Sequence, residues 1–302
     1  MTNEWPKCVF LSLLLVFTLT FAPATQAQTA PTATTGALLG LLALDKDGLP
    51  ISDLKPTELR VRVNKEDRNI LSLSAAPDAP KTIGLFFDIS GSRRNDKHLE
   101  KEIQAATNFL QSIWREGDEG FVLAFGDTLY FVARPTHDLH QILELLPRVA
   151  DAVYYGSTAL YDAVCGVQFK KGEGVEREKL YVVLSDFEDN VSKHSKTDAI
   201  RCLTEEKVRL FPLLLGSNFG SYGTKITNKR TQEAAHEIAE RSGGEVLAPV
   251  SDKDLAEGFG RIASDLRGAY WVEYESPVQA AKQQKLHVDT TRLHARLLYA
   301  HD

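Results

Sequence analysis

From residue 80 onward the chain alternates continuous apolar runs with segments in which apolar residues recur at helical spacing. The runs IGLFF, LYVVL and LFPLLL have few polar positions, as is typical of parallel strands that are covered on both faces. One intervening segment places apolar residues three and four positions apart, at Leu99, Ile103, Ala106, Leu110 and Ile113. This alternation predicts an α/β domain over residues 80–268, with a doubly wound, mostly parallel sheet flanked by helices.

A different pattern lies on both sides of this domain. Leu59, Val61 and Val63 alternate with arginines, which indicates a strand with one buried and one solvent-exposed face. The segments AYWVEYESP and KLHVDTTRLHARLLYA return to such alternation near the end of the chain. We therefore predict a small β module in which strands of residues 37–76 pair with strands of residues 269–302.

The first residues follow a third pattern. Lys7 precedes a predominantly apolar run at residues 9–21, and small residues come after it. The run is shorter than the roughly 20 residues that span a bilayer, so residues 1–27 are predicted to be a cleaved signal peptide. Residues 28–36, rich in Thr and Ala, form a predicted spacer. The mature chain is then exported to the periplasm, the cell surface or the medium, and no transmembrane segment is expected in it.

Composition and cysteine content narrow the choice of function. The chain has 302 residues, of which 43% are hydrophobic and 25% are charged, as in ordinary globular proteins. Its formal net charge is -6 and its Lys and Arg residues are scattered, so nucleic acid is not an expected partner. In an exported chain Cys165 and Cys202 can pair in a disulfide or remain buried thiols, and the sequence leaves both alternatives open.

Oxygen-bearing side chains follow two of the predicted strands. Asp88 ends the run IGLFFD and Asp186 ends YVVLSD. Ser90 and Ser92 follow the first of these, and Thr158 begins a predicted helix. Because ligands bind outside the carboxyl ends of the strands in open α/β sheets, we expect these five side chains to lie together. Two carboxylates and three hydroxyls, without imidazole or thiolate, suit Mg²⁺, or else Mn²⁺ or Ca²⁺.

These residues resemble the metal-ion-dependent adhesion site of the von Willebrand factor A domain, which has a Rossmann-like fold. The DxSxS motif of that site matches Asp88, Ser90 and Ser92. Its separate threonine matches Thr158, and its later aspartate matches Asp186, in the family's order. The flanking segments LLALDKDGLPISDLKPTELRVRVN and LRGAYWVEYESP resemble the exported, von Willebrand factor A-related proteins common in Acidobacteria.

The resemblance implies an adhesion-type, protein-binding role rather than catalysis. In the family's scheme Ser90, Ser92 and Thr158 contact the metal directly, while Asp88 and Asp186 act directly or through water. The open coordination position accepts a carboxylate from a partner protein, here an extracytoplasmic one. A dication that its own protein neutralises only in part remains attractive to an external Glu or Asp, which is the physical basis of that scheme.

Three positions near the motif depart from the family's pattern or are left unexplained by it. Arg93 replaces the apolar residue that commonly follows DxSxS, and Arg94 comes directly after it. These two arginines either attract an acidic partner or are ordinary solvated residues at a helix start. Phe187 replaces the glycine that usually follows the later aspartate. Glycine permits backbone angles that a bulky residue resists, so this loop is where a difference from the family is expected.

Two other functions remain as alternatives. The chain is a structural or assembly protein whose metal only stabilises the fold, or it is a hydrolase that uses the same metal or a nucleophilic Ser90 or Ser92. Against hydrolysis, the sequence contains no GxSxG elbow, no HExxH motif and no DxDxT-like aspartate pair. We therefore predict a binding protein without enzymatic activity.

Overall fold

The computed structural model describes residues 34–76, 79–91, 99–152, 156–167, 177–215, 229–249, 251–277 and 285–301. The predicted signal peptide and most of the predicted spacer lie outside the described residues, and so do Ser92, Arg93 and Arg94. The candidate site is therefore built below from Asp88, Ser90, Thr158 and Asp186 and from the residues around them.

The described residues form twelve β-strands and six α-helices. In chain order the strands are β1 (Thr34–Leu44), β2 (Leu59–Val63), β3 (Glu66–Arg68), β4 (Ile70–Ala75), β5 (Lys81–Asp88), β6 (Glu119–Phe125), β7 (Leu129–Thr136), β8 (Glu178–Ser185), β9 (Val208–Leu214), β10 (Ala269–Pro277), β11 (Leu286–Thr290) and β12 (Arg296–Leu298). The helices are α1 (Leu99–Ile113), α2 (Leu139–Leu145), α3 (Leu160–Gly166), α4 (Lys196–Glu205), α5 (Lys229–Ser242) and α6 (Asp252–Arg267).

Five strands form the central sheet, in the order β7-β6-β5-β8-β9. The strands β6, β5, β8 and β9 run parallel, and β7 pairs antiparallel with β6 at one edge. The middle strand β5 is buried along its whole length. Gly84 leaves room there for two aromatic rings, because a Cβ at this position would lie 2.4 Å from Cζ of Phe121 and 2.8 Å from Cδ1 of Tyr181.

Helices cover both faces of this sheet. Helices α1, α2 and α6 pack on one face, where Leu110 and Ile262 are buried in a common core. Helices α3, α4 and α5 pack on the other face, around Leu160 and Ile238. The predicted α/β class, with a doubly wound, mostly parallel sheet, is thereby confirmed. Within the described part of the chain, no helix combines the length and the apolar character needed to cross a membrane.

The remaining strands form two further sheets, in the orders β12-β1-β10-β4 and β11-β2-β3. Strand β1 pairs antiparallel with β10, and β2 pairs antiparallel with β11, so strands from before and after the α/β region lie side by side. Leu41, Val61 and Val272 are buried between the two sheets. Strand β1 begins at Thr34, within the segment predicted as spacer, because its pairing with β10 extends to this residue, opposite Pro277.

Candidate metal centre

The carboxyl ends of β5 and β8 meet at the centre of the parallel sheet. The two strands are in register up to Phe87 and Leu184, so Asp88 at the end of β5 lies beside Ser185 at the end of β8. The Ser185 hydroxyl donates a hydrogen bond to Asp88 Oδ2 over 2.5 Å. Asp186 is the next residue along the chain. The parallel sheet thus brings the two predicted acidic ligands to the same edge.

Both carboxylates are almost completely removed from solvent. Asp88 and Asp186 are each 2% exposed. Asp88 Oδ1 accepts a hydrogen bond from the backbone N–H of Ser90, and Asp186 Oδ1 accepts one from the backbone N–H of Glu188. Asp186 Oδ2 is buried, and no described residue donates a hydrogen bond to it. A buried carboxylate oxygen without a donor is unfavourable by itself, so this atom marks a position where a cation would fit.

Two acidic side chains at this edge of the sheet have raised pKa values. Burial raises the pKa of Asp88 to about 6, and the negative charge of Asp186 adds to that rise. Burial also raises the pKa of Glu188, again with a contribution from Asp186. The negative charge of Asp186 thus opposes the ionisation of Asp88 and Glu188. A divalent cation placed at this edge would favour the ionised form of Asp88.

The loop after β5 contributes the first hydroxyl. Ser90 is 1% exposed, and its neighbour Ile89 donates a backbone hydrogen bond to the carbonyl oxygen of Phe125, at the end of β6. The backbone N–H of Gly91 donates to the carbonyl oxygen of Gly156, which lies two residues before Thr158. The loop that follows Asp88 is therefore joined directly to the loop that carries the predicted threonine ligand.

Thr158 is also joined to the loop after β8. The backbone N–H of Thr158 donates to the Asn190 side-chain oxygen over 2.8 Å, and the backbone N–H of Asn190 donates back to the Thr158 carbonyl oxygen over 3.0 Å. Thr158 is 3% exposed. These reciprocal bonds attach the predicted threonine ligand to the chain segment that begins with Asp186. Four of the five predicted ligands are described, and all four lie at the end of β5 or in loops that bond to one another at the same edge of the sheet.

The start of α3 is held by side chains of the same β8–α4 loop. Asp189 Oδ2 accepts a hydrogen bond from the backbone N–H of Tyr161 over 3.0 Å, and the Ser192 hydroxyl accepts one from the backbone N–H of Asp162 over 3.0 Å. Since the first N–H groups of a helix have no partner within the helix, these side chains act as its cap. Asp162 in turn accepts hydrogen bonds from the backbone N–H groups of Lys193 and His194.

Phe187 adopts the backbone conformation that glycine would favour. Its φ is 63°, in the left-handed region, and its side chain is 2% exposed in the core beneath α3 and α4. The backbone N–H of Phe187 donates to the Ser185 hydroxyl over 2.8 Å. The loop after Asp186 thus has a phenylalanine in the left-handed region. A buried aromatic ring and a hydrogen bond hold it there, in place of the conformational freedom of glycine.

A disulfide joins the two helices next to the site. Cys165 of α3 and Cys202 of α4 are bonded, with their Cα atoms 5.5 Å apart. Of the two alternatives that the sequence left open, the structure has the disulfide. It connects the helix that follows Thr158 to the helix that follows the Asp186 loop.

The side chains at this edge of the sheet fit a hard divalent cation. The described donors are the carboxylates of Asp88 and Asp186 and the hydroxyls of Ser90 and Thr158, all of them oxygen ligands of the kind that Mg²⁺ prefers. No group of three or more His, Cys, Asp or Glu side chains gathers around a common point within the described ranges. A cation here would thus depend on hydroxyls and water to complete its coordination.

Comparison with known proteins finds likeness in fold. No protein-family model matches the chain, and no curated protein matches it. Proximal thread matrix protein 1 from the mussel byssus superposes with a TM-score of 0.50 and 18% identity, over 65% of this chain and 49% of that one. A von Willebrand factor type A structure from Catenulispora acidiphila gives a TM-score of 0.49 and 13% identity, over 90% of this chain and 75% of that one.

A third similar structure is that of the conserved hypothetical protein BatB from Bacteroides thetaiotaomicron. Its TM-score is 0.47 at 15% identity, over 61% of this chain and 98% of that one. At these identities the likeness concerns the fold alone.

Proposed function

We propose that this chain is an exported protein whose von Willebrand factor A-type domain binds a partner protein through a Mg²⁺-bridged site. The observation that carries the proposal is the buried Asp186 Oδ2 beside Asp88, which has no hydrogen-bond partner among the described residues. Two buried residues with hydroxyl groups, Ser90 and Thr158, lie at the same edge. Mn²⁺ or Ca²⁺ would be held by the same oxygen atoms. The proposal assigns no catalytic residue to the site.

Each residue of the site has its own part in this function. Asp88 and Asp186 supply negative charge, and Ser90 and Thr158, together with Ser92, supply neutral oxygen ligands. The metal, when bound, supplies a positive centre that an acidic side chain of the partner can reach. Ser185 orients Asp88, and Asn190 holds the Thr158 backbone. Because three of the five proposed ligands are uncharged, the protein only partly neutralises a dication and leaves it attractive to an external carboxylate.

The disulfide supports export. Disulfides form and persist in oxidising compartments and are rare in the cytosol of most organisms. The Cys165–Cys202 disulfide is consistent with export of the chain by its predicted signal peptide. The site and the disulfide are independent observations, so the binding role does not depend on the compartment.

Metal-dependent capture tests this function. The wild-type protein, Asp186→Asn and the control Asp47→Asn are each immobilised and exposed to an envelope extract in Mg²⁺ or in EDTA. Asp47 is an exposed residue of the turn after β1, so its replacement matches the charge change at a distance from the site. We expect partners that EDTA and Asp186→Asn both release and that Asp47→Asn retains. Equal retention in all arms would contradict a metal-bridged interface.

The near-complete burial of both carboxylates favours a second candidate function, in which the metal only stabilises the fold. A ligand that binds only the folded state stabilises it by about 2.7 kcal/mol at a hundredfold excess over its dissociation constant. In this case Mg²⁺ raises the melting temperature of the wild type but not of Asp186→Asn, and no protein is retained in a metal-dependent way. Thermal melting and capture therefore separate the two roles.

A further inference from the structure

A cleft of about 210 Å³ lies at the opposite end of β8 from the candidate metal centre. One wall consists of residues from β1, β10 and β11. The other consists of residues at and near the amino ends of β8 and β9. Strand β8 has eight residues at about 3.3 Å each, so this cleft is roughly 25 Å from the carboxyl ends of the strands. Neither function proposed for the metal centre uses it.

The first wall is apolar. Strand β1 contributes Leu38, β10 contributes Trp271 and β11 contributes Leu286. Trp271 is directly opposite Gly40 in the β1–β10 register, and its ring lies over that glycine, since a Cβ there would be 3.5 Å from the Trp271 Cζ3 atom. A partly exposed indole ring on a wall of leucines is a surface suited to the aliphatic or aromatic body of a ligand.

The second wall is cationic. Arg177, Lys179, Lys207 and Arg209 line it, against the single carboxylate of Glu178 among the described lining residues. Glu178 is itself ion-paired with Arg209, at 2.5 Å from Oε1 to Nη1, and both side chains are 7% exposed. The positive excess of this wall therefore comes from residues around the buried pair. A cleft with one dominant sign of charge concentrates ligands of the opposite charge.

Arg209 also offers a specific contact for an anion. Its Nη2 is buried and has no hydrogen-bond partner in the part of the chain that the structure describes, although its Nε donates to the Gly243 carbonyl oxygen. Oε2 of Glu178 likewise has no partner within the described ranges, so this part of the wall both attracts and repels an anion. Lys179 is paired with Glu206, at 3.3 Å from Nζ to Oε2, so the four cations of the wall have two carboxylates as partners and a positive excess remains. A buried guanidinium N–H without an acceptor is a position where an anionic oxygen atom gains a charge-assisted hydrogen bond.

We propose that this cleft binds a small amphipathic monoanion, such as a short aliphatic carboxylate. Its apolar body lies against Trp271 and Leu38, and its acidic group lies among Arg177, Lys207 and Arg209. The cleft is smaller than the roughly 300–1,000 Å³ of pockets that take drug-sized ligands, so the ligand is correspondingly small. The proposal is independent of the metal centre.

Tryptophan fluorescence tests the proposal on the purified full-length protein. Octanoate has both an apolar body and a charge, octanol has the body alone, and acetate has the charge with almost no body. We expect octanoate to give a saturable change in fluorescence, octanol to bind at least tenfold more weakly, and acetate to give no change. Equal affinity for octanoate and octanol, or no saturable change with octanoate, would overturn the proposal.

Variants locate the site. Trp271→Phe is expected to abolish the fluorescence change, and a change that persists would place the ligand elsewhere and overturn the proposal. The double variant Arg177→Gln/Lys207→Gln is expected to weaken octanoate binding at least tenfold, whereas unaltered affinity contradicts a role for the cationic wall.

Two further variants are controls. Lys253→Gln, on α6 and outside the lining of the cleft, is the matched control for loss of a surface lysine, and it should bind octanoate as the wild type does. Asp186→Asn should also bind octanoate normally, which separates this site from the metal centre.

Discussion

The Ser185 hydroxyl donates a 2.5 Å hydrogen bond to Asp88 Oδ2 and thereby joins the ends of the two central strands. The same hydroxyl oxygen accepts a hydrogen bond from the backbone N–H of Phe187. Ser185 is completely buried. One small side chain thus orients the first predicted acidic ligand and fixes the turn immediately after the second. We infer that Ser185 is a positioning residue of the candidate metal centre.

Ser185→Ala should lower Mg²⁺ affinity by roughly 10–100-fold, because outer-shell partners that orient metal ligands typically contribute that much. It should also lower the free energy of unfolding by about 1–3 kcal/mol, since Asp88 Oδ2 loses its donor in a buried setting. Isothermal titration calorimetry measures the first effect and urea denaturation the second. Ser74→Ala, at an exposed position of strand β4, is the matched control. Wild-type Mg²⁺ affinity in Ser185→Ala would rule out the positioning role.

Asn190 can be tested with one disruptive and one conservative substitution, of which only the conservative one should retain Mg²⁺ affinity. Asn190→Ala removes the side-chain oxygen that accepts from the Thr158 backbone N–H, whereas Asn190→Asp keeps an oxygen at the same place. We expect Ala to weaken Mg²⁺ binding roughly tenfold and to speed hydrogen exchange of the Thr158 amide. Asp should retain both properties. If the two variants lose Mg²⁺ affinity equally, the Asn190 oxygen does not position the threonine loop.

Substitutions of Phe187 compare the free-energy cost of backbone strain with the cost of losing a buried side chain. Replacing a buried phenylalanine by alanine costs about 3–5 kcal/mol, which exceeds the 1–3 kcal/mol strain of a non-glycine residue at positive φ. Both Phe187→Ala and Phe187→Gly should therefore lower the stability. Glycine should be the less damaging of the two by about 1 kcal/mol, because it adopts a φ of 63° without strain. Urea denaturation of the pair gives the ranking, and alanine equal to or better than glycine would contradict it.

The central sheet could be predicted from the sequence because its strands are buried on both faces. Strands β5, β8 and β9 are buried at nearly every position, which is why they appear as continuous apolar runs. The reversal of β7 follows from the short connection between β6 and β7, which can join only antiparallel strands. The division of the other strands into two sheets is not visible in the sequence, because it depends on pairing between residues far apart along the chain.

The positioning residues of the site leave little trace in the sequence. Ser185 acts on Asp88 across 97 residues, and Asn190 acts on Thr158 across 32. Nothing in local periodicity indicates such contacts. A weak signal did exist for Ser185, since a small polar residue interrupts the apolar run YVVLSD directly before Asp186. For Asn190 the only indication was its place in the polar loop that follows the same strand.

Asp265, near the end of α6, should make stability depend on pH. Burial raises its pKa to about 6; Arg209 and Arg261 oppose the rise, and Glu245 adds to it. A folded-state pKa above the unfolded value of 3.8 means that folding favours the protonated form. Its contribution to stability is therefore fully present below about pH 4 and is lost as the pH rises through about 6. In denaturation experiments from pH 4 to pH 7 the stability of Asp265→Asn should fall less steeply than that of the wild type, and Asp88, whose pKa is also raised to about 6, accounts for part of the remaining slope. A slope that Asp265→Asn leaves unchanged would assign the pH dependence to another group.

Calorimetric titration of Mg²⁺ tests the central claim most directly. The account predicts saturable binding to the wild-type protein and to Asp47→Asn, and binding at least tenfold weaker, or none, to Asp186→Asn. Circular dichroism of each variant shows whether the fold is retained, so that a loss of binding is not mistaken for unfolding. Saturable Mg²⁺ binding that is equal in the wild type and in folded Asp186→Asn, or no saturable binding in the wild type, would contradict a metal centre at the ends of β5 and β8.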